Sequence, residues 1–266
     1  MEEKKLHRSI DTFRRVLYWI VFSFFIAGLI YVLLRVILDK EYRETTAYSL
    51  MIFESVLGII AINIPIFVKK KFKWHMPTIF YVLFMFFLLF SIFFGEVALF
   101  YYNIKWWDDM LHLSSSMMLA MLGFSLIDIL NHGKNHNSLR LSPLFVAIFS
   151  VAFSVLIGVI WEFCEFAIDT VFYNIDGIGT NMQKYAIQST TGKGVFEDLV
   201  GRDALMDTML DLIIDFCGGV FIAVVGYISL KLDKNWLDSF KMSVIKEPDD
   251  NTHSKDEAVL EDEIMI

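Results

Sequence analysis

The chain has little cysteine: two residues, Cys164 and Cys217, among 266. Both fall inside apolar segments, which predicts small buried side chains, with a disulfide between them as the lesser alternative. No basic groove or nucleic-acid motif is present, which argues against a nucleic-acid partner. No Ser-His-Asp order or nucleophile elbow is visible. The string Thr190-Thr191-Gly192-Lys193-Gly194 lacks the full glycine-lysine-hydroxyl spacing of a phosphate loop, so nucleotide binding is not expected there. The apolar segments do not alternate in polarity, which argues against a transmembrane barrel. No cleavable signal peptide is evident. The first apolar run follows a charged segment and is long enough to remain as an anchor.

What the chain does have is apolar length. Hydrophobic residues make up 56% and aromatics 16%, with 26 Phe, and the mean hydropathy is +0.55. A soluble domain is about 45–50% apolar. The formal charge of −8 comes largely from the tail after Glu247 and from carboxylates inside the apolar runs.

Six long apolar segments can be marked: Val16–Leu38, Ala47–Val68, Pro77–Tyr101, Asp108–Leu130, Pro143–Val171 and Leu205–Leu230. Inside a bilayer the backbone must satisfy its own hydrogen bonds, so these segments are predicted to be helices. The expected fold is an all-α, polytopic membrane bundle of about six transmembrane helices, its lipid bilayer the first partner. Residues 1–15 form a basic N-terminus, 16–230 the membrane domain, and 231–266 a polar, acidic tail expected to be disordered.

Lys and Arg in the connections set the orientation. On one face lie Lys4, Lys5, Arg8, Arg14, Arg15, Lys69, Lys70, Lys71, Lys73, Lys134, Arg140, Lys231, Lys234, Lys241 and Lys246. On the other lie Arg35, Lys40, Arg43, Lys105, Lys184, Lys193 and Arg202, mixed with acids. Both termini are therefore expected to be cytoplasmic, and the protein a multi-pass component of the cell membrane. The connection 172–204 is the one long loop. It carries Gly177, Gly179, Gly192 and Gly194 and would lie on the outer side as a candidate lid.

Polar residues interrupt the apolar runs in a pattern. Glu96 lies near the end of the third segment. The fourth begins Trp106-Trp107-Asp108-Asp109-Met110-Leu111-His112, the fifth holds Glu162, Glu165 and Asp169, and the sixth holds Asp203, Asp207, Asp211 and Asp215. Their spacings of three and four place each set on one side of its helix. At about 1.5 Å per residue, Glu96, His112, Glu165 and Asp211 all lie roughly 8 Å from the outer ends. Burying one Asp at mid-membrane costs roughly 2.5–3.5 kcal/mol, so the set is expected to face inward and to need balancing charge.

Three balances are open. A divalent metal is one, since carboxylates with one His suit magnesium, manganese, calcium or zinc. Its candidate ligands are Asp108, Asp109, His112, Glu162, Glu165, Asp207, Asp211 and Asp215. Protonation is another, since crowded carboxylates hold protons and can relay them. Pairing with Arg202 or Lys105 at the mouth is the third. Plainer roles stand beside these. Asp108, Asp109, Asp203 and Asp207 can be helix caps at the membrane surface. His112 can be a hydrogen-bonded structural residue, and the remaining acids a structural network. Glu54 reads as isolated. Ser114, Ser115 and Ser116 read as small residues that let helices approach.

The succession Trp107-Asp108-Asp109-x-x-His112, Trp161-Glu162-x-x-Glu165 and Asp207-Thr208-x-x-Asp211 followed by Gly218-Gly219 resembles the YjdF-like family of bacterial inner-membrane proteins. It is similar, more distantly, to VanZ-like membrane proteins, associated with glycopeptide-antibiotic resistance in some bacteria. Their pattern runs from an Asp-His helix through a Glu helix to an Asp-rich last helix ending in Gly. The resemblance covers roughly Glu96 to Gly219. Glu165 stands where the VanZ-like form has Gln, and Asp215 where it has Asn. The extra acids favour cation binding and weaken transfer of the VanZ-like role.

The expected activity is that of a metal-dependent hydrolase or transferase acting at the outer face on a lipid-linked or envelope molecule. Glu162, Glu165, His112 and Asp211 would be its ligands or acid–base groups, with Glu96, Asp169, Arg202 and Asp203 around them. The alternatives are a proton- or cation-coupled transporter and a non-catalytic, partner-binding envelope protein. No inverted repeat of the kind many transporters carry is apparent.

Overall fold

The computed structural model describes residues 2–41, 48–131, 141–176, 182, 201–234, 236–237 and 239–244. Helix α1 runs from Glu2 to Leu38, so the basic N-terminal residues continue the first apolar helix. The second segment is broken. Helix α2 (Tyr48–Ala61) ends, and α3 (Ile64–Phe72) restarts after Asn63 with Pro in its first turn, where a missing N–H costs nothing. Lys73 closes α3 in the left-handed region at φ 54°. A two-residue strand, β1 (Trp74–His75), precedes α4 (Thr78–Leu88).

Helix α4 passes without a break into a π-helical stretch, Leu89–Val97. Leu99, at φ 62°, then turns the chain into the short α5 (Phe100–Asn103). The third crossing therefore ends at Val97, a few residues before the expected Tyr101. Three long helices complete the fold: α6 (Trp107–Asn131), α7 (Pro143–Asp176) and α8 (Gly201–Lys231). Strand β2 (Ser243–Val244) follows. Among the described residues the structure is all-α apart from the pairing of β1 with β2.

Six helical stretches are long and apolar enough to cross a membrane: Arg8–Leu38, Tyr48–Phe72, Thr78–Val97, Trp107–Asn131, Pro143–Val171 and Leu205–Lys231. They coincide with the six apolar segments to within several residues. Large apolar side chains such as Trp19, Phe163, Phe166, Phe216 and Phe221 stand exposed on them. That is how helices solvated by lipid present themselves.

The crossings form two groups. Helix α1 packs on α2, α4 and the π-helical stretch, while α6, α7 and α8 pack on one another. The second group is tied by small residues and hydroxyls. Ser150 Oγ donates to the Ala120 carbonyl at 2.6 Å, and Ser154 Oγ to the Ser116 carbonyl at 2.8 Å. Gly218 lies against Ser116 Oγ and the Leu113 carbonyl, leaving no room for a Cβ. Close approach through small residues is how membrane helices gain packing when lipid supplies no hydrophobic drive. Ser116 thus serves the packing expected of it.

One end of the bundle is sealed by the chain itself. Arg14 donates to the Met76 carbonyl, and Trp74 and His75 pair antiparallel with Val244 and Ser243. The Met242 amide donates to Ser125 Oγ at 3.0 Å, and Leu237 and Met242 are buried. The start of α1, the α3–α4 connection and the segment after α8 therefore share one face. The acidic residues lie toward the opposite end.

Candidate functional site

On α7 the buried positions are Ala147, Ser150, Ser154, Gly158, Glu162, Glu165 and Asp169. That 3–4 spacing is one continuous helix face. Its first half is small and its second half acidic. Helix α8 runs the other way along the same seam, with Asp211 and Asp215 buried before Gly218 and Gly219. Helix α6 supplies His112, 5% exposed, one turn after Asp108.

His112 is the hub. Its Nδ1 lies 3.4 Å from Asp215 Oδ1, an ion-pair contact longer than a well-formed hydrogen bond. Its Nε2 lies 4.0 Å from both Asp108 Oδ1 and Asp211 Oδ2. Asp108, His112 and Asp211 each offer one ligand atom, and these three atoms lie within 4.8 Å of one another. Asp215 is seated by Gly158, since a Cβ there would collide with Asp215 Oδ2.

Glu162 is 4% exposed, and neither of its buried oxygens accepts a hydrogen bond. His112, Asp207, Asp108 and Thr208 are its electrostatic neighbours. Glu165, 5% exposed, faces Asp108, Glu162, Asp211 and Asp207. A carboxylate buried without donors is costly wherever it occurs and more so in lipid.

Glu96 and Asp169 flank this group. Glu96, on the π-helical stretch and 5% exposed, accepts from Tyr102 Oη at 3.4 Å. Asp108 and Asp169 act on it electrostatically. Burial, and next the Glu96 carboxylate, hold the Tyr102 phenol well above its ordinary pKa, so it stays a donor. Asp169 accepts from the Met182 amide at 2.9 Å, which brings that residue of the 172–204 connection against the acidic end.

Two expectations are corrected. Asp109 is exposed, because the α6 face that carries Asp108 and His112 inward turns it away; it does not join the buried group. Cys164 and Cys217 are exposed and unbridged, because Glu162 and Glu165 on α7, and Asp215 and Gly218 on α8, take the inward positions beside them. Asp207 is half-buried at the edge of the group. Lys105 is exposed. The side chains of Arg202 and Asp203, and most of the 172–204 connection, lie outside the described residues.

Sequence reasoning missed three participants. Glu54 is not isolated: it lies within electrostatic reach of Glu96 across the first helix group. Its helix carries no second acid from which a stripe could be read. Tyr102 falls in a short loop-like helix, and Gly158 acts by what it lacks.

A family model described as "Predicted membrane protein (DUF2238)" matches residues 17–232. The YjdF-like resemblance points to this same family, while the VanZ-like one gains no support. Neither the curated proteins nor the solved structures include a match to the chain. The acid-bearing segments from Glu96 through Asp215 all lie within the matched residues, and the chain belongs to the DUF2238 family of predicted membrane proteins.

Proposed function

We propose that the chain is a membrane-embedded hydrolase or transferase. Its centre is His112 with Glu162, Glu165 and Asp211, and its substrate is a lipid-linked or envelope molecule. The observation that carries this reading is Glu162: a buried carboxylate, both oxygens free of hydrogen bonds, within electrostatic reach of the one imidazole of the site. A structural network spends its buried acceptors on donors. An acid–base centre keeps a carboxylate open for a reacting group.

In this reading Asp215 holds His112 by Nδ1, which orients the ring and leaves Nε2 toward Asp108 and Asp211. Glu162 takes the proton from the attacking hydroxyl or water and returns it to the leaving oxygen. Placement within the bilayer favours a substrate whose reacting bond lies at a lipid headgroup.

The test is turnover. Protein in nanodiscs is incubated with membrane lipid extracts, and products are followed by mass spectrometry. Glu165→Gln and Asp211→Asn are expected to abolish turnover while leaving the protein folded in the membrane. Full activity in both variants would sink the reading.

A further inference from the structure

We infer that Asp108, His112 and Asp211, with the buried Glu162 carboxylate beside them, bind one divalent transition cation of the manganese or zinc class. The inference goes beyond the proposed turnover: it shares residues with that reading but not its reaction.

The separations carry it. His112 meets Asp215 at Nδ1, 3.4 Å away, whereas at Nε2 a direct ion pair would close to about 2.7–2.9 Å. Instead Nε2 stands 4.0 Å from an oxygen of Asp108 and 4.0 Å from one of Asp211. That spacing leaves room for an ion between them. The three ligand atoms lie within 4.8 Å of one another. An ion central to a triangle with sides of that order would stand about 2.3–2.8 Å from each corner. Zinc takes roughly 2.0–2.2 Å and calcium roughly 2.3–2.6 Å, so a transition cation requires the side chains to contract by a few tenths of an ångström.

Glu162 is the independent observation. It is 4% exposed, its oxygens accept no hydrogen bond, and it lies within electrostatic reach of His112 and Asp108. A buried carboxylate without donors beside the three ligand atoms is one that a cation would balance. Asp215 completes the pattern from the other side. A carboxylate at the far nitrogen of a ligating His fixes its tautomer and ring plane, and Asp215 stands there, 3.4 Å from Nδ1. The single imidazole selects the cation class, because nitrogen donors favour zinc, while the surrounding carboxylates suit manganese.

The test uses full-length protein in nanodiscs, stripped by chelator and titrated with Mn²⁺, with free Mn²⁺ followed by electron paramagnetic resonance. The expected result is saturation by a single ion whose spectrum shows nitrogen hyperfine coupling from one imidazole. Asp215→Asn lowers affinity roughly 10–100-fold, the range for partners behind a ligand, and Asp211→Asn lowers it by at least as much. Asp109→Asn, on the exposed side, leaves it unchanged. Should Asp211→Asn fail to assemble, the hyperfine coupling of the unsubstituted protein decides. Folded protein that binds no Mn²⁺, or binds it without nitrogen coupling, overturns the inference. Ion binding with no turnover of any lipid would remove the enzymatic reading and keep the cation site. Turnover by protein that binds no Mn²⁺ in the titration would keep the enzymatic reading and remove the cation site.

Discussion

At the scale of single residues, the clearest contrasts are between neighbours. Gly218 and Gly219 are adjacent, yet a Cβ on Gly218 meets the Leu113 carbonyl and Ser116 Oγ, whereas on Gly219 it finds Ser154 at an ordinary 3.5 Å. Gly218→Ala is therefore expected to destabilise the folded protein by about 1–3 kcal/mol, the usual penalty for overpacking. Gly219→Ala should be close to neutral, and thermal unfolding in detergent reads both. Gly158→Ala has a different signature. The obstructing atom is the end of the Asp215 side chain, which can swing aside. Stability should change little, while His112 loses its orienting carboxylate and Mn²⁺ affinity falls. Equal loss of stability in Gly158→Ala and Gly218→Ala would contradict this account. None of these roles is legible in the sequence, because a glycine records nothing about what lies against it.

At the scale of elements, periodicity carried most of the information. The inward face of α7 could be read from Glu162, Glu165 and Asp169, and that of α8 from Asp211 and Asp215. Each lies at helical spacing on a helix that is otherwise apolar. The same reading failed where one residue had no companion. Asp109 has an acidic neighbour in sequence but points outward, and Glu54 has no partner on its own helix but meets Glu96 on another. The π-helical stretch left no signal either, since Leu89–Val97 is as apolar as the α-helical turns before it. Such stretches recur at functional sites, and this one delivers Glu96 to Tyr102. Gly95 accepts the Tyr101 ring against its bare backbone. Gly95→Val is expected to displace Tyr101 and cost about 1–3 kcal/mol, measured as a lowered midpoint of thermal unfolding. An unchanged midpoint would mean the ring is not held there.

At the scale of the whole molecule, six apolar segments in the sequence were enough to give six crossings, because a backbone in lipid has few alternatives. How the crossings group was not legible: it depends on pairs such as Ser150 with Ala120 that no one-dimensional pattern contains. The sealed face joins Arg14 to Met76, Trp74 to Val244 and Ser125 to Met242. Reporters fused to the two ends should therefore be read on the same side of the membrane, and opposite sides would contradict the six-crossing fold. The acidic group sits at the other end, and its burial is a stability cost that packing alone does not require. Thermal unfolding of Glu162→Gln in nanodiscs tests that claim most directly. If the carboxylate is kept open for chemistry, removing its charge should leave the midpoint unchanged or raise it, as when a strained functional group is neutralised. A marked fall in the midpoint would show instead that Glu162 holds the helices together, and the account of an active centre would fail.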